Sequence, residues 1–152
     1  MTGAGEASFD PVNANQDIIK RSYATDDFDQ FLGDLVTEIE ARNYRITRIN
    51  HIDNIFDRQE AGIEITARFR HYKIVEFCNL NSCSELISAD LRSGVFMPVR
   101  FAVYQTEEEE NVSHVAFLNP NAFARLFDSA SLNQVANELS KDMNDVLEEM
   151  AF

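Results

Sequence analysis

Four side chains in two stretches of this sequence have the means to do chemistry. Glu76 and Cys78 lie in Tyr72-Lys73-Ile74-Val75-Glu76-Phe77-Cys78-Asn79; Arg100 and Tyr104 lie in Met97-Pro98-Val99-Arg100-Phe101-Ala102-Val103-Tyr104. Each stretch is apolar at both parities, the pattern of a strand covered on both faces. A polar group inside such a strand needs a partner, because leaving it unpaired out of water costs about 1–3 kcal/mol. Glu76 shares parity with Tyr72, Ile74 and Cys78, and Arg100 with Phe96, Pro98, Ala102 and Tyr104. If the strands are neighbours, Glu76 and Arg100 are positioned to form a structural ion pair. The competing expectation is that Arg100 binds an anion in an otherwise apolar pocket beside Tyr104. Pro98 has no amide donor, which favours an edge or a bulge and so local access.

Cys78 ends its strand just before a helix N-terminus, where the helix dipole favours a thiolate. With His71 or His114 as base it would be a catalytic nucleophile; the alternative is a structural cysteine. Cys83 shares a helix face with Leu86 and Ile87 and is expected to pack as a small hydrophobe. Four residues separate the two cysteines and no second pair follows, so the spacing of a zinc site is missing. His51, His71 and His114 fall on three separate elements. Neither a metal nor a cofactor is expected. A phosphate-binding Gly-rich loop, a nucleophile elbow and a paired-His zinc helix are all missing, which removes the commonest nucleotide-binding and hydrolytic classes.

The elements that must position these residues follow from periodicity. Residues 1–16 show no sustained period and are expected to be a flexible N-terminal tail, leaving 17–152 as a single domain. Asp17–Ala24 is a short strand. Asp26 and Asp27 offer capping oxygens for a helix over about 26–42, with Phe28, Phe31, Leu35 and Ile39 on one face and Asn43 closing it. Tyr44–Ile52 is a strand with a bulge, because Ile46 and Ile49 differ in parity. Residues 53–70 form a connection that is either an ordinary surface loop or a flap over the site. Ser82-x-x-Glu85 reads as a capping box opening a short helix, and Val95–Gln105 as the second signature strand. Glu107 to Glu110 make a solvated hairpin turn whose like charges discourage edge pairing. Val112–Leu118 returns antiparallel, a helical turn starts at Pro120, and Ser131-x-x-Gln134 opens a last helix. That helix carries an apolar stripe from Leu132 to Met150.

Composition narrows the function classes. The chain has 152 residues, 13 basic against 26 acidic, and a net charge of −13. Such a surface disfavours nucleic acid and anionic membrane as partners. Twelve Phe and no Trp place most of the aromatic area in a core or an oligomer interface. Met1–Asn15 has neither a basic start nor an apolar run, and no segment offers about 20 apolar residues. Two cysteines without a leader imply reduced thiols and a cytoplasmic location.

With Phe77-Cys78-Asn79, the following helix, Pro98-Val99-Arg100 and Val103-Tyr104 in this order, the sequence resembles the bacterial and archaeal domain of unknown function 302. The similarity runs from about Asp26 to Phe117. It departs at Asn43-Tyr44, where a Gly is common, and at Leu80, where a Pro is common. The resemblance implies an α+β fold with a single, mostly antiparallel sheet in β-α-β4-α order, TATA-binding-protein-like, and frequent dimers. It implies no established activity. To that order, the residues themselves add short helices after Asn79 and Pro120.

Together these observations predict helices packed on one face of the sheet and a second subunit over the other, hence a homodimer. The leading functional expectation is a non-catalytic module binding a small, anionic ligand near Arg100, Tyr104, Cys78 and Glu76. The alternatives are a thiol-dependent enzyme or redox protein using Cys78, and an acidic protein-interaction subunit.

Overall fold

A computed structural model describes residues 4–9 (main chain), 17–54, 60, 62 and 67–151. The possible flap over 53–70 lies mostly outside the described residues. The strands are β1 (Ala4–Phe9), β2 (Ile18–Thr25), β3 (Arg45–His51), β4 (Phe69–Cys78), β5 (Val99–Thr106) and β6 (Val112–Leu118). The helices are α1 (Phe28–Ala41), α2 (Leu80–Ala89), α3 (Pro120–Ala124) and α4 (Ala130–Glu149), with a 3-10 helix over Leu91–Phe96. All pairings are antiparallel, in the order β1-β2-β6-β5-β4-β3. From β2 onward the chain follows the expected β-α-β4-α order, with α2 and α3 as the short additions. Ala4–Phe9 falls where the composition suggested a loose tail; here it pairs along β2.

One face of the sheet is apolar and packed. Ile19, Tyr23, Val75, Phe77, Phe101, Val103, Val115 and Phe117 alternate onto it and are buried. Rings pack through the middle, with Phe101 tilted against Phe77 at 5.0 Å and edge-to-face with Phe117 at 5.4 Å. Burying each such ring stabilises the fold by about 1.5–3 kcal/mol. Over this face lie Phe28, Phe31, Leu35 and Ile39 of α1 and the whole stripe of α4 from Leu132 to Met150. Tyr44 joins the two layers, its hydroxyl donating to Asp142 at 2.8 Å.

Local signals explain the helix ends. Asp27 Oδ1 accepts from the Gln30 amide, and Asn43 closes α1 at φ 63°, a left-handed conformation that Asn tolerates. The bulge expected in β3 is a register shift between Ile46 and Arg48. Two caps differ from expectation. Asn79 accepts from the amides of Asn81 and Ser82, so α2 starts at Leu80 instead of at the Ser82 box. Ser129 accepts from Leu132 and opens α4 before Ser131 does. In each case an earlier oxygen on extended backbone reached the free amides first. The second signature strand is also shorter than predicted. Leu91–Phe96 coil into the 3-10 helix, capped by Asp90, and Pro98 precedes β5.

An open sheet face as candidate functional site

Among the described residues, no helix covers the second face of the sheet. Along β5, Val99, Phe101, Val103 and Gln105 are buried, while Arg100, Ala102, Tyr104 and Thr106 retain exposure. Glu76 and Arg100 stand opposite each other on β4 and β5, with Oε1 and Nη1 3.6 Å apart. They are not the buried polar groups that the two-sided apolar pattern suggested. The Arg100 side chain is 50% exposed and that of Glu76 18%. Their ion pair is correspondingly weak, on the scale of about 0–1 kcal/mol for solvated pairs. Arg100 also donates to the Pro98 carbonyl at 3.2 Å.

Tyr104 shares this face, two residues along from Ala102. Its ring stacks on Tyr72, its cross-strand partner, at 5.3 Å, and lies 5.1 Å from the ring of His114. Between the aromatic row and Arg100, Ala102 of β5 faces Ala116 of β6. Two methyl side chains in register leave the sheet floor low, so the open face has a hollow. By register its neighbours are Tyr104 and His114 on one side, Arg100 and Leu118 on the other, and Ile74 and Lys20 at the ends.

Basic side chains gather on this face of an acidic chain. Arg48, opposite Glu76 on β3, and Lys20, opposite Ala116 on β2, join Arg100. Among the described residues, neither Arg48 nor Lys20 makes an ion pair. Glu76 thus lies between Arg48 and Arg100, Lys20 stands two strands beyond Arg100, and Glu109 reaches the margin of the face through His114, on a chain of net charge −13. Two strand spacings, about 10 Å, separate the Arg100 and Lys20 strands, a gap that two long side chains can close around one anion.

Cys78 behaves differently from expectation. It continues the parity of Glu76 at the end of β4, but its sulfur is bonded to that of Cys83 in the first turn of α2. The expected reduced thiols, the thiolate nucleophile and the purely packing role of Cys83 all give way to a disulfide. The proposed bases lie elsewhere as well. His71 is on the helix-covered side, stacked on Phe28 at 4.3 Å, and His114 is bonded to Ser22 and Glu109. So the four predicted residues divide: Glu76, Arg100 and Tyr104 share the open face, and Cys78 belongs to a bridge at its margin. Ala102, Ala116, Lys20 and Arg48 were missed. Strand parity alone would have put each on a single face, but only the strand order brings those faces together.

The acidic hairpin is exposed, as its composition suggested, and three of its carboxylates meet basic side chains. Glu107 pairs with Arg68 at 3.5 Å, Glu110 with Arg70 at 3.6 Å, and Glu109 with His114 at 3.1 Å. A separate groove of about 420 Å³ runs between α2 and α4, lined by Ser84, Glu85 and Ser88 and by Ser131, Gln134 and Val135. None of the predicted site residues borders it. Among the described residues, no three His, Cys, Asp or Glu side chains gather to hold a metal ion, and no helix is long and apolar enough to cross a membrane.

The family described as "Domain of unknown function DUF302" matches residues 19–150, which span β2 to the end of α4. The chain belongs to the DUF302 family. A solved DUF302 structure shares the fold: the uncharacterized conserved protein DUF302 from Bacillus stearothermophilus, TM-score 0.72. It is 17% identical, and the likeness covers 86% of this chain and 95% of that one. At that identity the likeness between the two DUF302 chains concerns the fold alone. No curated protein matches this chain.

Proposed function

We propose that this DUF302 chain is a homodimeric small-ligand-binding module, which takes a small anion in the hollow over Ala102 and Ala116. Arg100 and Lys20 supply the charge and Tyr104 supplies a flat apolar wall. The observation that carries this reading is the gathering of Arg48, Arg100 and Lys20 on one sheet face of an otherwise strongly acidic molecule. Acidic surroundings keep anions off the rest of the surface, so cations beside the hollow are selective by position. A cytoplasmic location goes with a Cys78–Cys83 bond that is made and broken in use, since permanent disulfides are rare in that compartment.

The test is thermal unfolding in the presence of a panel of small carboxylates and phosphates. A binding anion at 100 times its Kd stabilises the fold by about 2.7 kcal/mol, an easily read rise in Tm. Arg100→Ala and Ala102→Leu, which fills the hollow, are each expected to abolish that rise. No rise with any member of the panel, or a rise that both variants retain, would refute the reading.

A further inference from the structure

Ser22, His114 and Glu109 form a hydrogen-bonded chain beside the hollow. Ser22 Oγ is 2.7 Å from Nδ1 of His114, and Nε2 of the same ring is 3.1 Å from Oε1 of Glu109. Ser22 and His114 face each other across β2 and β6, while Glu109 reaches in from the β5–β6 hairpin. The imidazole is buried against Tyr104, whereas Ser22 retains exposure.

The partners fix the proton positions. A carboxylate only accepts, so the bond to Glu109 puts a proton on Nε2 of His114. In the neutral ring Nδ1 is then an acceptor, and the Ser22 hydroxyl is its donor. A hydroxyl directed at a ring nitrogen, whose ring is held in one tautomer by a carboxylate, is the arrangement of an activated serine. Here the two ring nitrogens are exchanged relative to the serine proteases.

We propose that Ser22 is a nucleophile for acyl transfer from a small carboxylic ester or thioester. Ser22 Oγ attacks the acyl carbonyl, and its proton passes to Nδ1 of His114. The Lys20 ammonium, two residues along the same strand face, stabilises the oxyanion. Collapse breaks the bond to the alcohol or thiol, which leaves with the proton from His114. Water, deprotonated by the same nitrogen, then attacks the acyl-serine and releases the carboxylic acid and the free Ser22 hydroxyl. A preference for substrates with an anionic group rests on the reading of the hollow as an anion site; the nucleophilic step does not.

The experiment uses the intact chain and two uncharged probes, an alkyl fluorophosphonate and p-nitrophenyl acetate. The fluorophosphonate is expected to add one phosphonyl group, mapped to Ser22. The ester is expected to release a burst of one p-nitrophenolate per chain. Ser22→Ala should abolish both, and His114→Gln should slow them about 100-fold or more. Glu109→Gln, at the exposed hairpin tip, tests its role as a positioning residue: it should slow the burst and shift its pH profile, and it serves in place of His114→Gln if that variant does not fold. Unmodified Ser22, modification confined to other side chains, or a burst that survives Ser22→Ala would overturn the proposal. Because both probes are uncharged, a negative result here leaves the anion titration informative, and a negative titration leaves this result standing.

Discussion

The hydroxyl of Tyr23 donates to the main-chain carbonyl of Leu147 at 2.6 Å, joining the middle of β2 to the end of α4 across 124 positions of chain. Burial pushes the phenol well above the ordinary tyrosine range, and Tyr44 is raised likewise, by burial first and by its bond to Asp142 second. Both groups keep their proton in the folded state at pH values where the unfolded chain loses it. Stability from this source is therefore full below about pH 10 and falls as pH rises further, by up to about 1.4 kcal/mol per pH unit for each ring. Urea unfolding midpoints should stay level from pH 8 to 9.5 and drop steeply by pH 11. Tyr23→Phe should flatten part of that drop, at a cost of about 1 kcal/mol near neutrality for the lost bond.

Asp53 gives the opposite pH dependence. Burial raises its affinity for a proton, but bonds from Lys73 Nζ and the Tyr72 amide, both at 2.9 Å, outweigh burial and hold the carboxyl below its usual range. Its contribution is present above the ordinary carboxylate range and is lost as pH falls through the lowered value. Asp53→Asn should lower the urea midpoint at pH 7 and make the decline between pH 5 and 3 shallower than in the native chain.

The bridge between Cys78 and Cys83 closes a loop of a few residues, which constrains the unfolded chain only modestly. Maleimide should find no thiol in the denatured, unreduced chain and two after reduction. Cys78→Ser should lower stability by about 2 kcal/mol while the far-ultraviolet dichroism of the fold is kept. Two reactive thiols before reduction would contradict the bridge.

A second copy is proposed to sit over the apolar end of the open face, where Ile18 is 63% and Leu118 42% exposed. That end adjoins both Glu76 and Arg100, so a patch of mixed sign can meet its own image across a two-fold axis. Light scattering at micromolar concentration should give twice the 17.3 kDa chain mass, and Leu118→Glu should give the single mass with the fold intact. A native chain that scatters as a monomer would refute the pairing.

Much of the architecture was legible because helical and strand periods are written locally. The α4 stripe, Asn43 as a closing residue and the β5–β6 hairpin each depend on residues within a few positions of one another. Where two local signals competed, the pattern chose wrongly: Asn79 and Ser129 cap their helices although only Ser82 and Ser131 have the Glu or Gln of a capping box. The site was half legible. Parity put Glu76 opposite Arg100 and Tyr104 on their face. Ser22, Lys20 and Ala116 were out of reach, because the neighbours of β2 are set by the packing of the whole sheet and by no feature of β2 itself. Burial was misjudged for the same reason, since an apolar strand face covered by helices and one left open look alike in sequence.

The placement of α4 also bears on how the chain is made. It supplies half the lid over the packed sheet face, yet it is synthesised after every strand. Until residue 130 and those beyond leave the ribosome, Ile19, Val115 and Phe117 have no helical roof from that side. A nascent chain in this state leaves greasy sheet surface open, and the twenty residues of α4 close it once they pack.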